Sequence, residues 1–432
     1  MLDLIAPRRV ASLLAVLACV AGLCGGVARA STSELQVLHW WTSASERRAA
    51  DLLAARLAAE GIRWRDAAIP GGAGQGVGKV LRSRVLAGDA PEVTQMIGTT
   101  IAEWAGIGVL LELDDVATAG QWGQVLFPTV HQLVQHRDHV VAAPLGIHRV
   151  NLLFVNRRLF DRHRLALPRS WDDWVATASV LQAAGVAPLA LSSEPWQVAT
   201  LFEGLVLAVG GQALHRELFV QHEPRAAADP RVLEALQRLR TLKSWAAAPL
   251  AERPWTTALQ LLQRGEAAMM VMGDWAKGEL STAGWTVGEQ FHCLPIPGSA
   301  AFHLYSVDSL TMFAKDYTRS AAQERMAALL MQPALQADYN RIKGSVSPRR
   351  DADPAAMDAC ARDSWLLFAQ GESLQAPSLV HRMATDESSK DAIVAEVHRF
   401  FMNDQMPPAA VQRRLGAMFR VLPQRAARAA AR

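Results

Sequence analysis

The segment Gly71-Gly72-Ala73-Gly74-Gln75-Gly76-Val77-Gly78-Lys79 is the first stretch whose residue types could do chemistry, because backbone amides at a helix start can cradle a phosphate. Its spacing argues against a nucleotide. A phosphate loop ending at Gly78-Lys79 requires glycine at position 73 and Ser or Thr at position 80, and the chain has Ala73 and Val80. The segment reads instead as a flexible turn between a strand and a helix. Paired acids come next: hydrolysis of a glycoside needs two carboxylates placed across the scissile bond, and Asp114-Asp115 and Asp172-Asp173 are adjacent pairs. Neighbours at a helix start or turn point apart and suit capping better. Cys293 and Cys360 have no third sulfur or clustered histidine with them, so neither a metal site nor a cofactor is expected. An oxidising compartment would join these two cysteines in a disulfide; two buried free thiols are the other possibility.

Trp40 and Trp41 carry a different chemistry. They stand at the end of the strand pattern Leu35-Gln36-Val37-Leu38, and ligands of open α/β sheets bind just beyond the carboxyl ends of strands. An indole presents a flat apolar face that suits the C–H face of a pyranose, while polar neighbours take the hydroxyls. Adjacent strand residues point to opposite faces, so one of the two is expected to face a cleft; composition alone is equally served by two core tryptophans. Among polar residues, Glu46 is accounted for by an S-x-x-E capping box with Ser43, Lys277 by a solvated helix face, and the lone histidines by ordinary surface or core roles.

These residues need elements to position them. After the first strand the spacing predicts a helix over about 45–60, a strand over 62–69, a helix after the glycine segment through Ala87, and a buried strand over 93–96. That β-α-β-α-β rhythm predicts a mostly parallel, doubly wound sheet. Strands are expected again over 141–146, 152–156 and 269–272, and helices from Trp171 (capped by Ser170 and Asp173) to Gly185, over 231–255 and over 258–265. No short-period repeat is present.

Composition bounds the class. Arg8 and Arg9 precede an apolar run from Val10 to Leu23, and Ala28-Arg29-Ala30 supplies a small-x-small cleavage pattern, so residues 1–30 read as a secretory signal peptide. Cys19 would make a lipoprotein site, but Leu17 is bulky where a small residue is preferred. Later apolar stretches are expected to be broken by charges, prolines or glycines short of the roughly 20 residues that span a membrane. The net charge of +3 sits largely in the leader and points to no nucleic acid. About 400 residues remain, half of them apolar, which exceeds what one core usually serves. The tail from Arg425 to Arg432 reads as a frayed terminus.

Seven segments recur in order: Leu38-His39-Trp40-Trp41-Thr42-Ser43, Ile147-His148-Arg149-Val150-Asn151, Pro195-Trp196-Gln197-Val198-Ala199-Thr200-Leu201-Phe202-Glu203, Met272-Gly273-Asp274-Trp275-Ala276-Lys277-Gly278, Val307-Asp308-Ser309, Lys343-Gly344-Ser345 and Ser378-Leu379-Val380-His381. Together they resemble the periplasmic solute-binding proteins of carbohydrate ABC transporters, glucose/mannose-binding subgroup, over nearly the whole chain after the leader. The resemblance implies an α/β, two-lobed periplasmic-binding-protein fold with a hinge and an interlobe ligand cleft, its lobes formed by 31–145 plus about 302–342 and by 146–301 plus about 343–432. It implies a periplasmic, monomeric, non-enzymatic protein that captures a mono- or small oligosaccharide by lobe closure and delivers it to permease subunits, without inserting in the membrane. Trp40 and Trp41 match tryptophans that wall the family's site, with Trp275 or Trp196 from the other lobe; Gln95 and Asp308 match polar contacts on the first lobe, Lys343 and His381 contacts from the hinge and second lobe. Relatives also carry cysteines near Cys293 and Cys360, which favours the disulfide. One departure stands out: relatives often place Lys or His two residues after the glutamine, where this chain has Ile97. His303 or Tyr305, in the unusual segment 301–306, is a candidate replacement contact. The competing functions are an exported glycoside hydrolase and a sugar-binding partner of a sensor kinase or chemoreceptor.

Overall fold

The alternation of strand and helix expected at the start of the chain is present in the computed structural model, which describes residues 33–71, 76–314 and 317–422. The expected leader, the middle of the glycine segment (72–75) and the arginine-rich tail lie outside the described residues. The capping box predicted at Ser43 starts the Ala44–Ala59 helix: Ser43 Oγ accepts from the Glu46 amide, and the Glu46 carboxylate accepts from the Ser43 amide at 3.1 Å. Ser170 and Asp173 start the Trp171–Ala183 helix in the same way. The glycine segment hands over directly to a helix at Val77–Leu86.

Two sheets organise the molecule as two α/β lobes. The first comprises β1 (Ser33–His39), β2 (Ile62–Ala68), β3 (Val93–Ile97), β6 (Ala143–Arg149), β11 (His303–Met312) and β12 (Gln375–Pro377), in the order β12-β11-β3-β1-β2 with β6 also on β11; a hairpin of β4 (Gln135–His136) and β5 (His139–Val140) stands apart. The second, in the order β10-β7-β9-β8, is built from β7 (Leu152–Asn156), β8 (Ala187–Leu189), β9 (Ala267–Met272) and β10 (Phe291–Pro295). The sheets are mixed rather than mostly parallel: β1 with β3, β11 with β12 and β8 with β9 run parallel, whereas β11 runs antiparallel to both β3 and β6, and β7 to both β9 and β10. The reason is that β11 arrives late in the chain and inserts beside β3, a pairing that no local rhythm foretells.

The apolar side chains bury in matching groups. Trp41, Trp122, Ile147, Val307, Phe313 and Phe368 belong to one cluster, and Phe202, Leu236 and Phe400 to another. A third cluster holds Val150, Met270, Trp275, Phe291, Leu304 and Ala376. The chain therefore leaves the first cluster after Ile147, returns to it between Leu304 and Val307, and leaves again between Phe368 and Ala376, with Met383 touching it once more. The Pro195–Phe219 helix corrects one expectation, since it is long and apolar enough to span a membrane by length and composition. Two-thirds of its apolar window is buried inside the protein, and Gly211 interrupts its helical backbone, so it serves as a core helix. The helix expected over 231–255 also divides: Pro230–Ser244 and Trp255–Arg264 are helical, and between them the Ala247 amide donates to the Leu189 carbonyl as extended backbone beside β8.

Candidate functional site

Strand ends and helix starts from both lobes converge on a cavity of about 400 Å³ lined by Trp40, Trp196, Trp255, Trp275, His148, Asp308, Lys343 and His381, among others. Of the residues expected at the site, the structure brings Trp40, Trp196, Trp275, Asp308, Lys343 and His381 together here. Trp41 and Gln95 are not in the wall. Alternation along the strand end turns Trp40 to the cavity and Trp41 into the core, where its ring meets those of His39 and Tyr339 with centroids 5.0 and 6.1 Å apart. Gln95 stands behind the wall: its Oε1 accepts from the Trp40 amide at 3.2 Å.

The polar groups of the cavity form a connected chain of charge. His148 Nδ1 lies 2.5 Å from Asp274 and its Nε2 3.4 Å from Asp308, with all three buried. Burial works against charge on His148, but the two carboxylates outweigh it and raise the imidazole to about 9. Burial likewise pushes Asp308 up, and His148, Lys343 and Gln95 overcome it, leaving the carboxylate at about 2. Lys343, at the end of the Pro333–Lys343 helix, donates to Glu46 at 3.1 Å, and its affinity for the proton is raised despite burial by Glu46, Asp308 and Asp274. Burial and the nearby His148 take His381 down to about 3, so this second imidazole is neutral. Glu194 accepts from Trp196 Nε1 at 2.9 Å and fixes that indole plane.

Four indoles thus surround ionised groups that are already paired with one another. Such a surface offers apolar faces and oriented hydrogen-bond donors and acceptors, which suits a neutral polyhydroxylated molecule better than an ion. Ile97 lines the cavity directly opposite Asp308 in the β3–β11 register, so an alkyl group does occupy the position where a polar one was expected. The replacement contacts named in the sequence are elsewhere. His303 is buried against Ser364 at 2.9 Å and Tyr305 packs on Phe368, because odd positions of β11 face away while Ser306 and Asp308 face the cavity.

Sequence reasoning missed His148, Glu46, Glu194 and Trp255 as wall residues. His148 sat inside a quoted motif, and Glu46 already had a sufficient explanation in its cap, so neither pattern announced a second role. Lys277 is likewise not on a solvated face: it is buried and pairs with Asp358 at 2.6 Å. Among the described residues one grouping, Glu112, Asp114 and His139, brings metal-ligating atoms within 4.8 Å of one another. It lies outside the cavity, and Asp114 is engaged by His139 and by the Val140 amide. The cysteines are joined: Cys293 and Cys360 form a disulfide with Cα atoms 6.2 Å apart.

Comparison with known proteins agrees with this architecture. The family model for bacterial extracellular solute-binding proteins matches residues 43–329. The chain is 32% identical over 406 residues to a probable sugar-binding periplasmic protein of Brucella suis biovar 1, covering 94% of this chain and 96% of that one. It is 33% identical over 398 residues to a protein of the same description from Rhizobium meliloti, covering 92% and 96%. Among solved structures, maltose-bound MalE3 of T. maritima superposes with a TM-score of 0.75 at 16% identity, covering 90% of this chain and all of that one, a likeness of fold alone.

Proposed function

Because the chain belongs to the bacterial extracellular solute-binding protein family, we propose that its cavity captures one neutral mono- or small oligosaccharide by closure of the two lobes. The protein works as a periplasmic monomer that presents the sugar to the permease subunits of an ABC importer and does not turn it over. The ligand class is glucose/mannose-type, altered at the hydroxyl that meets Ile97. The lobes are divided at about residues 145, 302 and 342 as the resemblance implies, with the Ala359–Phe368 helix assigned to the first because Ala361, Trp365 and Phe368 bury there.

The observation that carries this reading is the ring of Trp40, Trp196, Trp255 and Trp275 around Asp308, Lys343 and the two imidazoles. An indole stacks on the C–H face of a pyranose, and the fixed polar groups take its hydroxyls. Bound sugar would bridge both lobes and shift the population toward the closed form. Hydrolysis is disfavoured because the wall carboxylates are already engaged, Glu46 by Lys343, Glu194 by Trp196 and Gln197, and Asp308 by His148. Titration of the purified protein with a panel of mono- and oligosaccharides, followed by calorimetry and tryptophan emission, should give saturable one-site binding. Absence of binding by every sugar would end the assignment, and turnover of a chromogenic glycoside abolished by one carboxylate substitution would replace it.

A further inference from the structure

Glu203 has no role in the cavity wall, yet it is fully buried in the Pro195–Phe219 helix and governs the segment that carries His381. Its Oε2 accepts from the Leu379 amide at 2.6 Å, its Oε1 accepts from the Ser378 hydroxyl at 2.8 Å, and the Val380 amide also bonds to it. The same Ser378 oxygen lies 2.9 Å from His381 Nδ1 and accepts from the His381 amide at 3.2 Å. The His381 ring lines the cavity beside Trp275, with centroids 5.2 Å apart, and its Nε2 has no protein partner among the described residues.

A hydroxyl has one proton and two lone pairs. The His381 amide uses one lone pair of Ser378, so the proton and the other lone pair must be shared between Glu203 and the His381 ring in one of two orders. With Glu203 ionised, Ser378 donates to Glu203 and accepts from Nδ1–H, leaving Nε2 as an acceptor toward the cavity. With Glu203 protonated on Oε1, Glu203 donates to Ser378, Ser378 donates to Nδ1, and the ring proton sits on Nε2 as a donor. We propose that Glu203 is a positioning residue that sets, through Ser378, whether His381 offers the cavity an acceptor or a donor; the consequence for sugar recognition rests on the proposed function, but the relay itself does not.

The two orders are both within reach. Burial pushes Glu203 up to about 8 against the hydrogen bonds from Ser378, Leu379 and Val380, which are the groups acting on it. Burial and His148 hold His381 at about 3, with Asp308 opposing and Arg382 and Lys390 assisting, so its ring stays neutral while Glu203 titrates.

Nitrogen-15 NMR of the histidine-labelled, sugar-free protein reads the tautomer directly from about pH 5 to about pH 10. In the wild type the ring proton should move from Nε2 to Nδ1 as pH rises. In Glu203→Gln the side-chain oxygen must serve the Leu379 and Val380 amides, so its NH2 faces Ser378 and the ring should keep Nε2–H throughout. In the Ser378→Ala background, adding Glu203→Gln should leave the tautomer unchanged. The same tautomer in wild type and Glu203→Gln at the top of the range, or a response to Glu203→Gln that survives in Ser378→Ala, would overturn the relay. Since no sugar is in the sample, failure of the sugar assignment leaves this result standing, and failure here leaves that assignment standing.

Discussion

At the scale of single residues, the cavity is a place where charge has been settled before any ligand arrives. His148 pairs with both Asp308 and Asp274, and Lys343 pairs with Glu46, so a sugar meets polar groups already engaged with one another and does not have to displace water from a bare ion. Ile97 is the exception in this polar arc. A sugar hydroxyl buried against it without a partner costs roughly 1–3 kcal/mol, or about one to two decades of affinity. Replacing it by lysine would put an ammonium beside Asp308. Ile97→Lys is therefore expected to reorder affinities among sugar epimers and deoxy-sugars in calorimetric titrations, improving those with a hydroxyl at that position; an unchanged ranking would show that no hydroxyl meets residue 97.

At the scale of elements, the site depends on two helices meeting at unusually short range. The Trp275–Thr282 helix and the end of the Pro333–Lys343 helix approach so closely that a Cβ on Gly278 would lie 2.5 Å from the Lys343 carbonyl oxygen. A Cβ on Gly344, whose φ is +95°, would lie 2.2 Å from the Asp274 carbonyl oxygen. Only glycine allows the contact, and the contact is what sets Lys343 beside Glu46 and Asp274 beside His148. Gly278→Ala should push the helices apart, lowering stability by about 1–3 kcal/mol, the usual cost of overpacking. It should also weaken sugar binding, although residue 278 does not line the cavity. Thermal melts and titrations of the same protein check both; a variant with unaltered affinity would mean that this helix junction does not position the wall.

At the scale of the whole molecule, a covalent tie and a set of buried protons act together. The disulfide joins β10 of the second sheet to the helix that buries Trp365 and Phe368 in the first cluster, across a sequence separation of 67. Closing a loop of that length removes about 4 kcal/mol of unfolded-state entropy. Reductant should therefore lower Tm markedly, and an identical Tm with and without it would exclude a structural role. The pH dependence has two limbs. His148 keeps, up to about 9, a proton that the unfolded chain releases at its ordinary 6.5, so its contribution is complete below 6.5 and is lost as pH rises through 9. Glu203, raised to about 8, loses its contribution in the same direction. Burial holds His215 and His381 near 3, so the unfolded chain takes up protons that the folded one refuses as pH falls below 6.5, and stability drops on that side too. Tm measured across this range should peak near pH 6.5, and His215→Leu should flatten the acid limb; a Tm that climbs steadily toward pH 9 would contradict the assignment of His148.

Local patterns determined much of this protein. The capping boxes at Ser43 and Ser170, the strands ending near His39 and Ile97, and the turn of one of the adjacent tryptophans Trp40 and Trp41 toward a cleft all follow from residues within a few positions of one another. The ordered motifs pointed to Trp40, Trp196, Trp275, Asp308, Lys343 and His381 in the cavity wall. What local pattern could not determine is which side of a sheet a residue faces once distant strands pair. His303 and Tyr305 point away and Lys277 is buried, because the register of β11 against β3 and β6 and the packing of helices decide those directions. The charged chain of Glu46, Lys343, Asp308, His148 and Asp274 unites residues up to 297 positions apart. His148, Asp308 and Lys343 acquire their shifted proton affinities only when the fold removes them from water and sets them against their partners.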